Sequence, residues 1–100
     1  MVKEIKEDEF KEVIENNKKV VIDCFATWCG PCQMLSPIVD QLSEEISNTN
    51  FYKLDVDNCA SIPMEYGIMS IPTLLVFEDK KLKQTVVGLR SKEELEQLLR

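Results

Sequence analysis

Two cysteines three positions apart, Cys29 and Cys32, are the residues of this chain best suited to covalent chemistry. They lie where a buried strand is predicted to give way to a helix. This spacing lets the two sulfurs join as a disulfide or separate as thiols with little change in the backbone. The pair can therefore carry two electrons, and it predicts a redox catalyst.

The expected position of Cys29 at the start of a helix accounts for its reactivity. Unpaired backbone N–H groups and the positive end of the helix dipole stabilise a thiolate there, so the pKa of Cys29 should fall. Because the thiolate is the attacking species in disulfide exchange, we expect an exposed Cys29 to form a mixed disulfide with a partner. Cys32, one turn into the helix and more covered, would then attack Cys29, release the reduced partner and leave the pair oxidised.

Hydrophobic spacing predicts alternating strands and helices without an internal repeat, which indicates a single α/β domain over residues 1–100. Apolar, β-branched runs predict five strands, at Val2–Ile5, Val20–Ala26, Phe51–Val56, Thr73–Phe77 and Gln84–Val87. Helical spacing predicts four helices: one through Phe10, Val13 and Ile14 that ends near Asn16, a long one after Cys29 with Leu35, Ile38, Leu42 and Ile46 on its apolar face, one over Ala60–Tyr66, and one from Ser91 that buries Leu95, Leu98 and Leu99.

Local signals refine these boundaries. Pro37 lies inside the long helical pattern and predicts a kink in one helix rather than two helices. Gly67 suits a left-handed cap after the short helix. Ser91 and Glu94 have the spacing of a capping box, and Asp79 follows the fourth strand where a hairpin turn over residues 79–81 is expected.

Composition limits the possible functions. Of 100 residues, 44% are hydrophobic and 30% are charged, which is typical of a folded domain. The net charge of -6 opposes binding to nucleic acid or to anionic lipid, and no stretch is long enough to cross a membrane. The first eight residues are charged throughout and lack the apolar core of a signal peptide, so the expected location is the cytoplasm. A reducing compartment favours a catalytic or metal-binding role for a close cysteine pair.

An isolated carboxylate, Asp23, falls inside the apolar second strand. A buried, charged and unpaired carboxylate costs several kcal/mol, so something must compensate for it. Burial raises its pKa, whereas a neighbouring ammonium would lower it. Asp23 is therefore either half of a structural ion pair or a group with a role in the chemistry, and we favour the second because buried ion pairs often fail to offset their desolvation.

The segment Trp28-Cys29-Gly30-Pro31-Cys32 is similar to the active site of the thioredoxin family, and the resemblance extends over essentially the whole chain. Other family marks fall in matching places: Asp23, Pro37, Lys53 before Asp55, Ile71-Pro72-Thr73, and Gly88. The resemblance implies the thioredoxin fold, an α/β architecture with a central mixed five-stranded β-sheet flanked by four α-helices. Two departures are Ser70, where a glycine is common, and a hairpin without the frequent Asn-Gly turn.

The resemblance also implies roles for individual residues. Lys53 would lie beside Asp23, and Asp23 would accept the proton of Cys32 as the mixed disulfide resolves; a solvated lysine at a strand end is the alternative for Lys53. The Ile71–Pro72 peptide bond would be cis and lie against the cysteines. Clients would bind a shallow apolar surface formed by Trp28, Gly30, Pro31, Val56, Ile71, Pro72, Val87 and Gly88. For Val56 and Val87, ordinary strand core is an equal alternative.

By resemblance, the Gly-Pro dipeptide between the cysteines favours a protein-disulfide reductase. The chain would reduce client proteins through a redox-active Cys29–Cys32 disulfide and would act as a monomer. No phosphate-binding glycine loop is present, so no bound cofactor is expected and a separate thioredoxin reductase would donate the electrons. Alternatives are an oxidase or isomerase of the same fold, or a binding module without catalysis.

The remaining sulfur atoms carry less information. A zinc site is disfavoured because the chain has no histidine and the other two cysteines are unpaired in the sequence. Cys24 is predicted to lie in the core, whereas Cys59 either is exposed and oxidisable or caps the short helix. Met34, Met64 and Met69 are interpreted as packing residues.

Overall fold

The computed structural model describes residues 2–100 as a mixed five-stranded sheet with helices on both faces. The strand order is β1-β3-β2-β4-β5; β1 and β2 run parallel to β3, while β4 runs antiparallel to β2 and β5. The elements in chain order are β1 (Lys3–Glu4), α1 (Phe10–Asn16), β2 (Lys19–Phe25), α2 (Gly30–Glu45), β3 (Asn50–Asp55), α3 (Ser61–Glu65), β4 (Thr73–Glu78), β5 (Lys81–Val87) and α4 (Lys92–Leu99). The predicted fold class is confirmed.

Strand β2 lies at the centre of the sheet and is covered on both faces, as its continuous apolar sequence predicts. Val20 and Ile22 face the core under α1 and α3. Val21, between them, faces the core under α2 and α4. By the same alternation, Asp23 points toward the side of the sheet where α2 lies. The carboxylate of Asp23 therefore lies near the end of β2, on the face of the sheet that α2 covers.

Most predicted elements are confirmed within one or two residues, and the differences have local causes. The first strand is shorter than predicted, although the backbone N–H of Ile5 still donates to the carbonyl of Lys53. Pro37 lies inside one helix, as predicted. Leu35, Leu42 and Ile46 are buried, as predicted. Val39 is also buried, whereas Ile38 is half-buried at the edge of the same core.

Two turns of the chain require positive φ, and they reach it with different residue types. Gly67 follows α3 with φ of 64°, the left-handed conformation predicted for it. Asp79 and Lys80 form the hairpin turn with φ of 52° and 70°. Positive φ at both central residues is typical of the type I′ turn that fits strand twist, so the hairpin adopts this geometry without an Asn-Gly pair.

The last helix shows one wrong prediction. Its capping box is present, with the Ser91 hydroxyl accepting from the N–H of Glu94. Leu95 and Leu99 are fully buried, as predicted, but Leu98 is 39% exposed. Because successive residues on a helix are about 100° apart, a short helix on a sheet buries one narrow stripe, and Leu98 lies at its edge.

Helix α3 begins without a capping side chain of its own, because its N-cap residue is Ala60. A carboxylate from a distant part of the chain supplies the acceptor. Glu7 Oε2 accepts hydrogen bonds from Ser61 Oγ at 2.6 Å and from Ser61 N at 3.0 Å. A helix of five residues is too short to persist on its own, so this contact and the burial of Ile62 hold α3 in place.

Replacing Glu7 with Gln is expected to loosen α3, because an amide oxygen is a weaker acceptor than a carboxylate. The measurement is amide hydrogen exchange, which should become faster at Tyr66, whose N–H bonds to the carbonyl of Ile62. Hydrogen bonds from the hydroxyl and the backbone of Ser61 lower the pKa of Glu7 from 4.5. Its contribution to stability is therefore present above pH 4.5 and is lost as the pH falls through the lower folded value.

A matched control is Asp8→Asn, which removes a neighbouring exposed carboxylate from the same turn. This variant should exchange the Tyr66 amide at the wild-type rate. Equal exchange rates at Tyr66 for Glu7→Gln and wild-type protein at pH 7 would contradict the capping role of Glu7.

None of the helices in residues 2–100 is both long and apolar enough to cross a membrane.

Candidate active site

The cysteine pair lies where the chain leaves the central strand and enters α2. Cys29 occupies the N-cap position of this helix and Cys32 its first turn, with Pro31 among the first helical residues, where a missing N–H costs nothing. The two residues form a disulfide with Cα atoms 5.2 Å apart. The predicted placement of the pair at a strand-to-helix junction is thus confirmed.

The sulfur of Cys29 lies at the positive end of the helix. Its Sγ accepts a hydrogen bond from the N–H of Cys32 at 3.2 Å, so the side chain caps one of the unpaired backbone donors. The same donor would stabilise a thiolate after reduction. In the disulfide form Cys29 is only 5% exposed, which differs from the exposed residue that we expected.

A second backbone segment, which leads into β4, lies beside the disulfide. The Ile71–Pro72 peptide bond is cis, as the resemblance implies, and the carbonyl oxygen of Ile71 lies 4.0 Å from Cys29 Sγ. Val56 and Ile71 pack against the small cluster formed by the two cysteines and Ala26. The side of the disulfide is therefore bounded by apolar groups and by one backbone carbonyl.

The carboxyl group of Asp23 is buried at the wall of a cleft that Cys32 also lines. Its Oδ1 has no hydrogen-bond partner among residues 2–100. Burial raises the pKa of Asp23 to about 7, while the charge of Lys53 opposes this rise and that of Asp40 adds to it. Asp23 is thus placed to gain or lose a proton near neutral pH.

Lys53 is the direct neighbour of Asp23 across the β2–β3 pair. Its ammonium lies 5.8 Å from the centre of the Phe25 ring, which is cation–π distance. The lysine is half-buried and still lowers the pKa of Asp23 through its charge. The sequence left two alternatives for Lys53, an ion pair with Asp23 or a solvated lysine. The structure matches neither fully, because Lys53 is half-buried and its ammonium affects the Asp23 carboxyl group without a direct ion pair.

A cleft connects this carboxyl group to the buried cysteine. It has a volume of about 260 Å³ and is lined by Asp23, Phe25, Ala26, Thr27, Cys32, Gln33, Ser36 and Lys53. This volume is sufficient for a water molecule, and the lining offers several polar partners. Asp23 and Cys32 thus line the same cleft.

Trp28 is held in place although it is 71% exposed. Its indole Nε1–H donates to Asp57 Oδ2 at 2.8 Å. Asp57 is itself fixed in a turn, because its N–H donates to the buried carboxylate of Asp55 at 2.9 Å. Sequence reasoning missed the contact of Asp57 with Trp28 because it joins two loops. It also missed Gln33, which lines the cleft with Asp23 and Cys32; the helical spacing of Gln33, four residues after Cys29, could have indicated it.

The structure also locates the remaining residues of the expected client surface. Gly88 has φ of 90° and its N–H donates to the carbonyl of Pro72 at 2.8 Å, which brings the end of β5 to the cis-proline. Val87 is about half exposed, so the core alternative for this residue is wrong. Gly30 and Pro31 are exposed on the first turn of α2.

The other two cysteines lie in a different part of the protein. Cys24 is fully buried, as predicted, and burial raises the pKa of its thiol to about 12. Cys59 is also buried, so its exposed and oxidisable interpretation is wrong. Both belong to the core under α1 and α3, away from the disulfide. No cluster of three or more side chains suited to hold a metal ion occurs in residues 2–100.

A helix-capping disulfide beside a cis-proline, on a mixed sheet of this order, defines a thiol–disulfide oxidoreductase. The thioredoxin family profile matches residues 1–100. Thioredoxin of Rickettsia felis is 44% identical, with 85% of this chain and 82% of that protein covered. Thioredoxin of Listeria monocytogenes serovar 1/2a is 41% identical, with 99% and 96% covered. The solved structure of Plasmodium falciparum thioredoxin superposes with a TM-score of 0.92 at 32% identity, with 98% and 96% covered.

The chain belongs to the thioredoxin family. It is accordingly a thiol–disulfide oxidoreductase with disulfide reductase activity, and its redox group is the Cys29–Cys32 disulfide.

Proposed function

We propose that the chain reduces client proteins with Cys29 as nucleophile and Cys32 as resolving thiol. The observation that carries this assignment is the hydrogen bond from the N–H of Cys32 to Cys29 Sγ at the helix N-cap. A donor in this position favours the thiolate of Cys29 over that of a cysteine inside the helix. Cys29 is also the sulfur that lies 4.0 Å from the carbonyl oxygen of Ile71, a residue of the proposed client surface.

The exchange transfers two electrons in two steps. The Cys29 thiolate attacks one sulfur of the client disulfide, a bond between Cys29 and that sulfur forms, and the other client sulfur leaves as a thiolate. The Cys32 thiolate then attacks Cys29, the Cys29–Cys32 bond forms, and the first client sulfur leaves. The client takes up two protons and two electrons, and the protein is left as the disulfide.

Asp23 is the proposed proton acceptor for Cys32. The support is its burial, its pKa of about 7 and the cleft that it shares with the cysteine. A base with this pKa is matched to proton transfer near neutral pH. Lys53 acts as the partner of Asp23, because its charge limits the rise of the pKa and keeps a fraction of the carboxyl group ionised.

The client surface is proposed to combine apolar contact with backbone pairing. The residues assigned to it are Trp28, Gly30, Pro31, Val56, Ile71, Pro72, Val87 and Gly88. Of these, Val56 and Ile71 pack against the cysteines, and Gly88 bonds to Pro72. A surface of this kind binds clients through main-chain hydrogen bonds and shallow pockets, so it accepts many sequences.

We further propose that a thioredoxin reductase returns the two electrons, that residues 1–100 act as one domain and as a monomer, and that the protein works in the cytoplasm. A reducing compartment would keep such a pair available for reduction of clients. An oxidase or isomerase of the same fold and a non-catalytic binding module are the competing functions.

The reduction potential of the Cys29–Cys32 pair separates these functions. We expect a midpoint near -270 mV, the value characteristic of a reducing thioredoxin. The measurement is equilibration in graded thiol–disulfide buffers, with modified thiols counted by mass. A midpoint near -120 mV would instead indicate an oxidase, and a pair that does not oxidise reversibly would indicate a binding module.

A further inference from the structure

An apolar groove adjoins the disulfide and extends away from it along the segment after α3. Its volume is about 190 Å³. Its lining residues are Trp28, Val56, Pro63, Ile68, Met69, Ser70 and Ile71. One wall, between Pro63 and Ser70, comes from a part of the chain that the exchange chemistry does not use.

Met69 is the most exposed large apolar residue of this wall. Its side chain is 98% exposed, so the packing role expected from the sequence is wrong, and the same holds for Met34 and Met64. An exposed thioether contributes nothing to the core of the protein. It does provide an unbranched, polarisable surface that adapts to different apolar partners.

The groove lies beside the reacting sulfur, with Ile71 between them. Ile71 lines the groove, and its carbonyl oxygen lies 4.0 Å from Cys29 Sγ. A client segment joined to Cys29 therefore passes over Ile71. In an extended segment, residues two positions from the client cysteine point to the same face as the cysteine, about 6.6 Å along the chain. Their side chains are the ones directed at the protein surface beside the disulfide.

Charge further limits what the groove accepts. Asp57 brings a carboxylate to its rim, since Asp57 Oδ2 accepts from Trp28 Nε1 at 2.8 Å. None of the residues that line the groove is basic. The whole chain has a net charge of -6, which also opposes an acidic client segment.

We propose that this groove binds a large apolar side chain located two residues from the client cysteine, and that Met69 determines this preference. The preferred clients are then extended segments with Leu, Met or Phe at that position and no acidic residue there. This inference rests on the proposed function, because the client is held on Cys29 while its neighbouring side chain enters the groove.

The test uses heptapeptides with a central cysteine disulfide-bonded to 2-nitro-5-thiobenzoate, a coloured and good leaving thiolate. Attack by Cys29 on the peptide sulfur releases the coloured thiolate and leaves the peptide on the protein. Peptides carry Leu, Ser or Glu two residues before or after the cysteine. For pre-reduced wild-type protein, the second-order rate constant should be about tenfold higher with Leu than with Ser at one of the two positions, and lowest with Glu.

The variant Met69→Lys should reduce the ratio of the Leu and Ser rate constants to about twofold or less, because it removes the apolar wall. Met69→Ala should lower the ratio without a change of charge. The matched control is Met34→Lys, which makes the same substitution at a methionine that is 63% exposed and lies outside the groove lining. This control should keep the wild-type ratio.

Reduction of bis(2-hydroxyethyl) disulfide, a small uncharged disulfide without neighbouring side chains, separates a defect in the exchange chemistry from a defect in the groove. All three variants should reduce it at the wild-type rate. Failure of the wild-type protein to reduce this disulfide would contradict the proposed function itself. Equal rates for the Leu and Ser peptides, an unchanged ratio in Met69→Lys, or equal slowing of that variant on the small disulfide would overturn the groove assignment alone. A wild-type dimer that Met69→Lys dissociates in sedimentation would also overturn it, since the groove would then bind a second copy.

Discussion

Replacing Cys32 with Ser should convert the protein into a covalent trap for its clients. Cys29 would still attack a client disulfide, but without a second thiol the mixed disulfide would accumulate as a one-to-one adduct that dithiothreitol reverses. Cys29→Ser should form no adduct. Turnover should fall by more than about 10³-fold in both variants, because each removes a group without which the cycle cannot close.

Mass spectrometry under non-reducing conditions measures these adducts directly. The control is the double variant Cys29→Ser/Cys32→Ser, which keeps Cys24 and Cys59. Since both of these cysteines are buried, it should form no adduct with a folded client. An adduct in Cys29→Ser but not in Cys32→Ser would reverse the two assigned roles.

Replacing Asp23 with Asn should slow resolution of the mixed disulfide while making the protein more stable at pH 8. Because the substitution removes a general base, it is expected to lower the resolution rate by about 10²-fold. The rise of the wild-type rate with pH near 7 should also flatten, because the carboxyl group that titrates there is gone. Stopped-flow measurement of adduct resolution between pH 5 and 9 tests both effects.

The gain in stability follows from the direction of the pKa shift. The pKa of Asp23 is about 7 in the folded state and 3.8 ordinarily, so the folded protein binds more protons between these values. The free energy of unfolding of the wild type therefore falls as the pH rises from 3.8 to 7 and stays low above that. The shift corresponds to roughly 4 kcal/mol as an upper bound, and Asn removes this penalty.

Urea unfolding at pH 4 and at pH 8 checks this difference. The stabilisation by Asp23→Asn should be larger at pH 8 than at pH 4. Glu44→Gln, at an exposed position of the same helix as Cys32, should change neither stability nor resolution. A resolution rate unchanged by Asp23→Asn in a folded variant would remove Asp23 from the mechanism.

The features that sequence predicted well are those set by local pattern. The nearly continuous apolar run around Val21 predicted the central strand. Ser91 predicted the start of the last helix, because a capping box needs only two residues three positions apart. The cysteine pair was placed correctly for the same reason, since it follows directly from the end of that strand. Patterns within about one turn of helix are sufficient for such predictions.

The features that sequence missed depend on contacts between distant segments. The cap that Glu7 provides to Ser61 spans 54 positions, and the bond between Trp28 and Asp57 spans 29. Met69 was misassigned because a hydrophobic side chain does not reveal whether any neighbour covers it. The separation of Lys53 from the Asp23 carboxylate likewise depends on where the ring of Phe25 lies.

Because Cys24 and Cys59 are buried, the four cysteines of the folded protein differ in their reactivity toward alkylating reagents. With the pKa of Cys24 raised to about 12 and that of Cys59 raised by burial, neither supplies much thiolate at neutral pH. Cys32 is also buried, so the thiolate of Cys29 is the one readily alkylated sulfur in the folded reduced protein. Brief alkylation should therefore label no sulfur in the oxidised native protein, one in the reduced native protein and four after reduction and unfolding. Each label count reports one distinct state, so a single mass spectrum can follow redox state and folding together.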